Sequence, residues 1–434
     1  MVDSHNLIVN GSKKIFGEIY IPGDKSITHR AIILASLCKG KVKIESPLFS
    51  EDCNNTIQIM QSLGVRITKD NNNLVVEGKG INGLKKPTKK LDAGNSGTLM
   101  RLITGVLAMQ SFESIVTGDK SLQGRPMERI IEPLKSMGAN IISNKGKAPL
   151  NIKPNKSIKS ILFCSEIASA QIKSCLILAA LFVNEQSVIE EITSTRDHTE
   201  LLLEYFGHTI ERINNKIIIT GGKDLKCKQI LIPSDISSAA FFIIGALIKK
   251  DSNIIIKNIG LNPHRTGILE VLTKMGADIK IINKYMIGAE PAGDIQVKHS
   301  KLEPIKLSGE IISKLIDELP ILFIACATCS GVSEFSNIKE LRYKESDRIK
   351  SMEAGLRKLG IEVSSTENSF KIKGGKFGGG IIDSFNDHRV AMSFIIAGLI
   401  SAKPVTVTNT LNINTSFPNF YSVLREAGVE IYRI

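Results

Sequence analysis

One phrase recurs six times along the chain, and it constrains the fold more than any other feature. An apolar helix end runs into a glycine and then into an apolar strand. The copies are MQSLGVRI (Met60–Ile67), LKSMGANI (Leu134–Ile141), LEYFGHTI (Leu203–Ile210), LTKMGADI (Leu272–Ile279), LRKLGIEV (Leu356–Val363) and LREAGVEI (Leu424–Ile431). Their glycines, Gly64, Gly138, Gly207, Gly276, Gly360 and Gly428, lie 68 to 84 residues apart. Glycine ends a helix because it enters the left-handed backbone region at little cost. The residues after it alternate or are β-branched, which suits a strand. Six copies at near-constant spacing define an internal repeat.

A second element recurs with it. Polar or charged residues open a long apolar helix at Asp24–Leu37, Asn95–Ala108, Ser169–Leu181, Asp235–Ile248, Asp317–Cys329 and Asn386–Ile400. These helices are apolar nearly all round, which predicts burial. The helices that end at the glycines are more amphipathic and face solvent. Short strands such as LVVEG and IIITG complete a βαβαββ unit, present six times. One unit cannot bury an all-round apolar helix, whereas three units together can. The expected α/β architecture is therefore two domains of three units. The N-terminal strand around Glu18–Ile21 is expected to complete the last domain, with two crossovers. That makes residues 21–233 one domain and residues 1–20 with 234–434 the other.

The polar helix starts carry the functional expectation. A helix N-terminus offers free N–H groups and the positive dipole end, where phosphate binds. Six such ends, if parallel, would face a cleft between domains and suit small, highly charged anions. The formal net charge of +13 favours anionic partners. Charge alone does not choose among nucleic acid, membrane and small anions. With no Trp and 5% aromatic residues, base-stacking platforms are scarce. Lys85–Lys90 reads as a solvated basic connection. The apolar runs near Ile321–Ala327 and Met392–Ile400 are too short to span a bilayer. The opening MVDSHNLIVNGSKK lacks a signal-peptide core, so a cytoplasmic location is expected.

The local motifs each admit a plain reading beside a functional one. In Asp24–Arg30, Lys25, Ser26 and Arg30 gather at a helix start, which ordinary capping by Asp24 or Ser26 would also explain. Gly94–Thr98 permits a tight turn whose N–H groups converge on an anion, or a capped helix. Arg125 sits in a loop, and Ser169–Gln171 and Ser194–Glu200 open helices. Asp317 and Glu318 begin an apolar helix; either caps it or acts as a general base. Asp317 is the better candidate, but the sequence does not separate them. Lys344, Glu345 and Arg348 are placed at the opening of the helix that ends at Gly360, Lys344 and Arg348 sharing a face. Arg389, at another apolar helix start, needs an anion if it is buried. Cys326 and Cys329 form CxxC without a second pair and read as core thiols. The seven Cys show no disulfide framework, and the seven His no metal-ligand cluster.

The motifs PGDKSITHRA, LDAGNSGTLMR, GRPM, SAQIKS, STRDHTE, PSDISSAAFF, LRYKESDR, DHRVAMS and TSFPNF occur in an order that resembles the 5-enolpyruvylshikimate-3-phosphate synthase family across essentially the whole chain. The resemblance implies a two-domain inside-out α/β barrel, the enolpyruvyl transferase fold, with three βαβαββ repeats per domain. It implies transfer of an enolpyruvyl group from phosphoenolpyruvate to shikimate 3-phosphate, without metal or other cofactor. By motif, Lys25, Ser26, Arg30, Ser169, Ala170, Gln171, Ser194, Asp317 and Lys344 would hold shikimate 3-phosphate. Lys25, Asn95, Gly97, Arg125, Gln171, Arg348 and Arg389 would hold phosphoenolpyruvate. Asp317 would be the base and Glu345, with Lys25, the proton donor. Glyphosate inhibition and a monomer are implied, with neither nucleic-acid nor membrane partners.

Two departures stand out. Asn414–Pro418 lacks the Lys that some members carry before Phe-Pro, and Ala170 replaces a second Ser. The nearest alternative, UDP-N-acetylglucosamine 1-carboxyvinyltransferase, usually has a catalytic Cys where this chain has Lys120. Some of its members use Asp, and Asp119 is adjacent. The KSxxxR, SAQ and KESDR motifs favour shikimate 3-phosphate as acceptor.

Overall fold

The computed structural model describes residues 6–11, 14–155 and 157–434. Part of the opening segment examined for a signal peptide, residues 1–5, 12 and 13, lies outside the described residues.

All six repeat glycines have a left-handed backbone, with φ between +80° and +96°. Each follows an outer helix: Glu51–Ser62, Glu128–Ser136, His198–Tyr205, Gly267–Lys274, Arg348–Lys358 and Phe420–Glu426. The six apolar segments form core helices: Lys25–Leu37, Gly97–Leu107, Ala170–Ala180, Ile236–Ile248, Leu319–Cys326 and His388–Ala397. Five have a side-chain cap, from Asp24, Ser96, Ser169, Asp235 and Asp387. The helix Leu319–Cys326 has none.

The strands form six four-stranded sheets with one shared order. The strand before a core helix pairs in parallel with the strand after it. The latter is antiparallel to the second strand of a hairpin. Leu91–Asp92, Ser114–Thr117, Lys147–Lys153 and Asn140–Asn144 show the pattern. The crossovers exchange strands. Phe16–Tyr20 precedes helix Lys25–Leu37 in the chain but pairs with Asn253–Gly260. Ile230–Leu231 precedes helix Ile236–Ile248 but pairs with Lys39–Glu45.

The strand that completes the last sheet is Leu7–Val9, not the Glu18–Ile21 segment. It lies between Val405–Thr408 and Ile431–Arg433. Leu7 and Val9 are buried, and so supply the apolar inner face that this position requires. Three residues were too short a run to register as a strand in the sequence.

The chain divides into two compact units. The first is Met1–Pro22, Pro233–Met286 and Pro291–Ile434; the second is Gly23–Ile232 with Ile287–Glu290. Compared with the boundaries read from sequence, the divisions are displaced by one or two residues. Hydrogen bonds explain the displacement. Ser234 Oγ donates to the Ile21 carbonyl at 2.8 Å, and the Asp235 N–H to that of Pro22 at 3.0 Å. The Ile232 N–H bonds Glu45 in the second unit at 3.0 Å. Ile287–Glu290 joins the second unit through Glu290, whose Oε1 lies 2.5 Å from Nδ1 of His198.

Each unit has its own apolar core. In the first, Phe323 stacks on Phe370 with ring centroids 4.5 Å apart and meets Phe335 edge-on. Cys326 and Cys329 are buried free thiols in that core, and burial pushes the Cys329 thiol up to about 12.

Candidate active site

In the second unit, Lys25 is the first residue of its core helix, and its Nζ lies 3.0 Å from Oδ2 of Asp52. Arg30, one turn later, is buried. It donates from Nε to Thr199 Oγ1 and from Nη2 to Ser174 Oγ, both at 2.8 Å. Thr199 donates in turn to Ser174 at 2.7 Å. Ser26 takes part through its carbonyl, 3.0 Å from Arg30 Nη1. Three chain segments thereby fix one guanidinium.

The loop carrying Ser194 is held by a buried ion triad. Lys173 Nζ lies 2.9 Å from Glu191 and 2.7 Å from Glu200, and donates to the Thr195 carbonyl. Burial opposes the Lys173 charge, but Glu200 and Glu191 outweigh it and raise its pKa. Ser194 donates to Asn215 at 3.2 Å. Ser169 caps the helix on which Ala170 and Gln171 are the first two residues.

A second group surrounds the start of helix Gly97–Leu107. Asn95 donates to Asp119 at 2.6 Å and accepts from Arg125 at 2.7 Å. Gln171 accepts from Arg101 at 2.7 Å and donates to Thr98 at 2.9 Å. A Cβ on Gly97 would lie 2.8 Å from Arg101 Nη1 and 3.2 Å from Arg125 Nη1. Two guanidinium groups thus crowd one helix N-terminus, an arrangement that an anion stabilises. Asp119 also caps the short helix Lys120–Gly124, accepting from Leu122 N at 2.7 Å.

The first unit carries the carboxylates. Asp317 Oδ1 lies 3.1 Å from Lys344 Nζ and 3.6 Å from Arg348 Nη1. Arg348, 1% exposed at its side chain, bonds Glu345 at 2.6 Å and Asp387 at 2.8 Å. Arg389 donates to the Asp317 carbonyl at 2.9 Å. The two adjacent carboxylates differ in burial. The Asp317 side chain is 15% exposed and Glu318 is fully buried. One expectation needs correction. Lys344 and Glu345 do not open the outer helix, which begins at Arg348 with Asp347 as its cap. A 3-10 turn, Lys339–Tyr343, precedes them. Lys344 and Arg348 still converge, because both reach Asp317.

Burial opposes the charge on Arg348, but Asp387, Glu345 and Asp317 outweigh it and raise its pKa. Burial would likewise raise Asp387, yet Arg348 outweighs it and holds that carboxyl below the usual range. In the second unit, His29 lies between Thr56 and Ser96. Burial, then Lys25 and Arg30, lower its pKa well below the usual value. Its neutral form is therefore folded into the site. Between pH 7.5 and 5.5 the unfolded chain takes up a proton at this position more readily than the folded chain. Stability is expected to fall over this range, by on the order of 1 kcal/mol from this group. Urea unfolding of wild type and His29→Asn at both pH values checks this; the variant should lose correspondingly less.

Sequence reasoning missed Asp52, Ser174, Thr199 and the Lys173 triad. Ser174 and Lys173 lie in SAQIKS, and Thr199 and Glu200 in STRDHTE, but their roles as partners do not show locally; Asp52 and Thr199 are met across 27 and 169 residues.

A twofold set of three α/β repeats, with Lys and Arg gathered at core-helix starts and ion-paired carboxylates beside them, defines an enzyme class that handles small anions. Comparisons identify the class. The profile of the family EPSP synthase (3-phosphoshikimate 1-carboxyvinyltransferase) matches residues 9–424. A 3-phosphoshikimate 1-carboxyvinyltransferase of Petrotoga mobilis is 45% identical over 424 residues, covering 96% of this chain and 98% of that protein. One from Methylococcus capsulatus is 44% identical over 417 residues, covering 96% and 95%. A solved EPSP synthase structure from Acinetobacter baumannii has a TM-score of 0.88 at 41% identity, covering 99% of both chains. The chain belongs to the EPSP synthase family and has the two-domain enolpyruvyl transferase fold.

Proposed function

We propose that this protein transfers the enolpyruvyl group of phosphoenolpyruvate to the 5-hydroxyl of shikimate 3-phosphate, releasing phosphate. Family membership supports the reaction. The observation that carries the chemistry is Asp317, a partly exposed carboxylate ion-paired with Lys344 and Arg348, with Glu345 on the same Arg348.

Lys25, Ser26, Arg30, Ser169, Ala170, Gln171, Ser194 and Lys344 bind shikimate 3-phosphate in this reading, with Asp317 at its hydroxyl. Asn95, Gly97 and Arg125 surround the phosphate of phosphoenolpyruvate, with Lys25 and Gln171 beside it. Arg348 and Arg389 clamp its carboxylate. Glu345, aided by Lys25, protonates the methylene carbon as C2 becomes cationic. Asp317 takes the proton of the 5-hydroxyl as its oxygen bonds C2. A tetrahedral ketal phosphate results. The C2–O bond to phosphate then breaks, and the methyl group loses a proton, which restores the alkene. Cations already placed for phosphate and carboxylate stabilise the charge that develops, without reorganisation.

The protein works in this reading as a cytoplasmic monomer, and glyphosate inhibits it. Among the described residues, no helix is long and apolar enough to cross a membrane.

The test is phosphate release with phosphoenolpyruvate and either shikimate 3-phosphate or UDP-N-acetylglucosamine, with product mass read in the same tube. Release and an enolpyruvyl adduct are expected with shikimate 3-phosphate alone. Turnover of the nucleotide sugar alone would overturn the acceptor assignment.

A further inference from the structure

Glu318 is among the buried carboxylates of the first unit that the reaction does not use. Glu318 begins the helix Leu319–Cys326 but caps nothing. Its Oε1 accepts a hydrogen bond from Ser237 Oγ. Its Oε2 is buried with no hydrogen-bond partner among the described residues. A buried carboxylate in this condition needs a cation nearby.

Two cations are close. Arg265 donates to the same Ser237 at 2.7 Å but has Asp235 as its own counter-ion, at 3.1 Å. Arg389 has a different balance. Its Nη1 donates to the neutral Asp317 carbonyl and lies 3.6 Å from Glu318 Oε1. Glu318 is therefore the carboxylate that faces Arg389. At 3.6 Å the contact is too long for a hydrogen bond. It attracts the guanidinium without occupying its donors.

We propose that Glu318 is a positioning residue. Its charge, fixed by Ser237, holds Arg389 against the Asp317 carbonyl and leaves the remaining guanidinium donors for a ligand carboxylate. The proposal rests on the reading that Arg389 binds phosphoenolpyruvate. It places the affinity for that carboxylate under the control of a side chain that never touches it.

The test is steady-state kinetics of Glu318→Gln, which keeps the shape and removes the charge. KM for phosphoenolpyruvate is expected to rise about tenfold, as for one weakened charge-assisted contact. KM for shikimate 3-phosphate should stay within about twofold and kcat within about threefold. An unchanged KM for phosphoenolpyruvate, or an equal rise for both substrates, would overturn the proposal. If Glu318→Gln does not fold, Glu318→Asp retains the charge but withdraws it from Arg389, and the same selective rise is required. Absence of turnover by the wild type would overturn the reaction rather than this role. A crystal structure of the variant would then decide: Arg389 displaced from the Asp317 carbonyl supports the role, and Arg389 unmoved overturns it.

Discussion

Asp317→Ala is expected to lower kcat about 10³-fold, within the range for loss of a positioned general base. The carboxylate is partly exposed at the start of a core helix, so it can reach a ligand. It also accepts Lys344 at 3.1 Å, and its backbone carbonyl accepts Arg389 at 2.9 Å. In the proposed mechanism, removing the side chain removes the proton acceptor, and it leaves Lys344 without this counter-ion. Asp317→Asn separates the effects: it keeps a hydrogen-bond acceptor but cannot take the hydroxyl proton. Single-turnover rates at saturating substrate should therefore fall nearly as far for Asn as for Ala. Calorimetric binding of shikimate 3-phosphate should persist in both. A rate within tenfold of wild type would move the base elsewhere.

The largest expected loss of stability comes from Arg348→Met. Arg348 is 1% exposed at its side chain and Asp387 is fully buried. The substitution leaves Asp387 without its closest cation and breaks the pair with Glu345, while Asp317 keeps its nearer partner Lys344. Breaking a buried pair from one side costs about 3–5 kcal/mol. Lys344→Met, whose side chain is 28% exposed, should cost about 1 kcal/mol or less. The contribution of Asp387 to the pH dependence should reverse sign. In the wild type, Asp387 has a lowered pKa, so its stabilisation is present above the ordinary carboxylate pKa and is lost as pH falls through the folded value. Without Arg348, burial dominates and raises that pKa, so the variant loses less as pH falls. Denaturant unfolding at pH 7.5 and 4.5 measures both effects. A loss below 1 kcal/mol, or a parallel pH profile, would refute the argument.

The repeat was legible because its determinants are local. A glycine that must take positive φ and an all-round apolar helix can each be recognised within a dozen residues. The positions of the cations were legible for the same reason, since they mark helix starts. What each cation meets was not. Arg348 bonds Asp387 across 39 residues, and Arg30 bonds Thr199 across 169. Asp317 and Glu318, adjacent in sequence, differ in burial because burial is set by neighbours from distant repeats. The two crossovers were legible, but the partner of the N-terminal strand was not: Phe16–Tyr20 pairs with Asn253–Gly260, and Leu7–Val9 fills the last sheet.

That pairing has a consequence for synthesis. The strands of the second unit have all been made once Leu231 leaves the ribosome. Those of the first unit have not, because Leu7–Val9 sits between two strands at the far end of the chain. At roughly 5–20 residues per second, the earliest strand waits on the order of 20–80 s for its neighbours. A chain stalled past Leu231 thus holds nearly all of one unit, together with a fragment of the other that has no sheet to join.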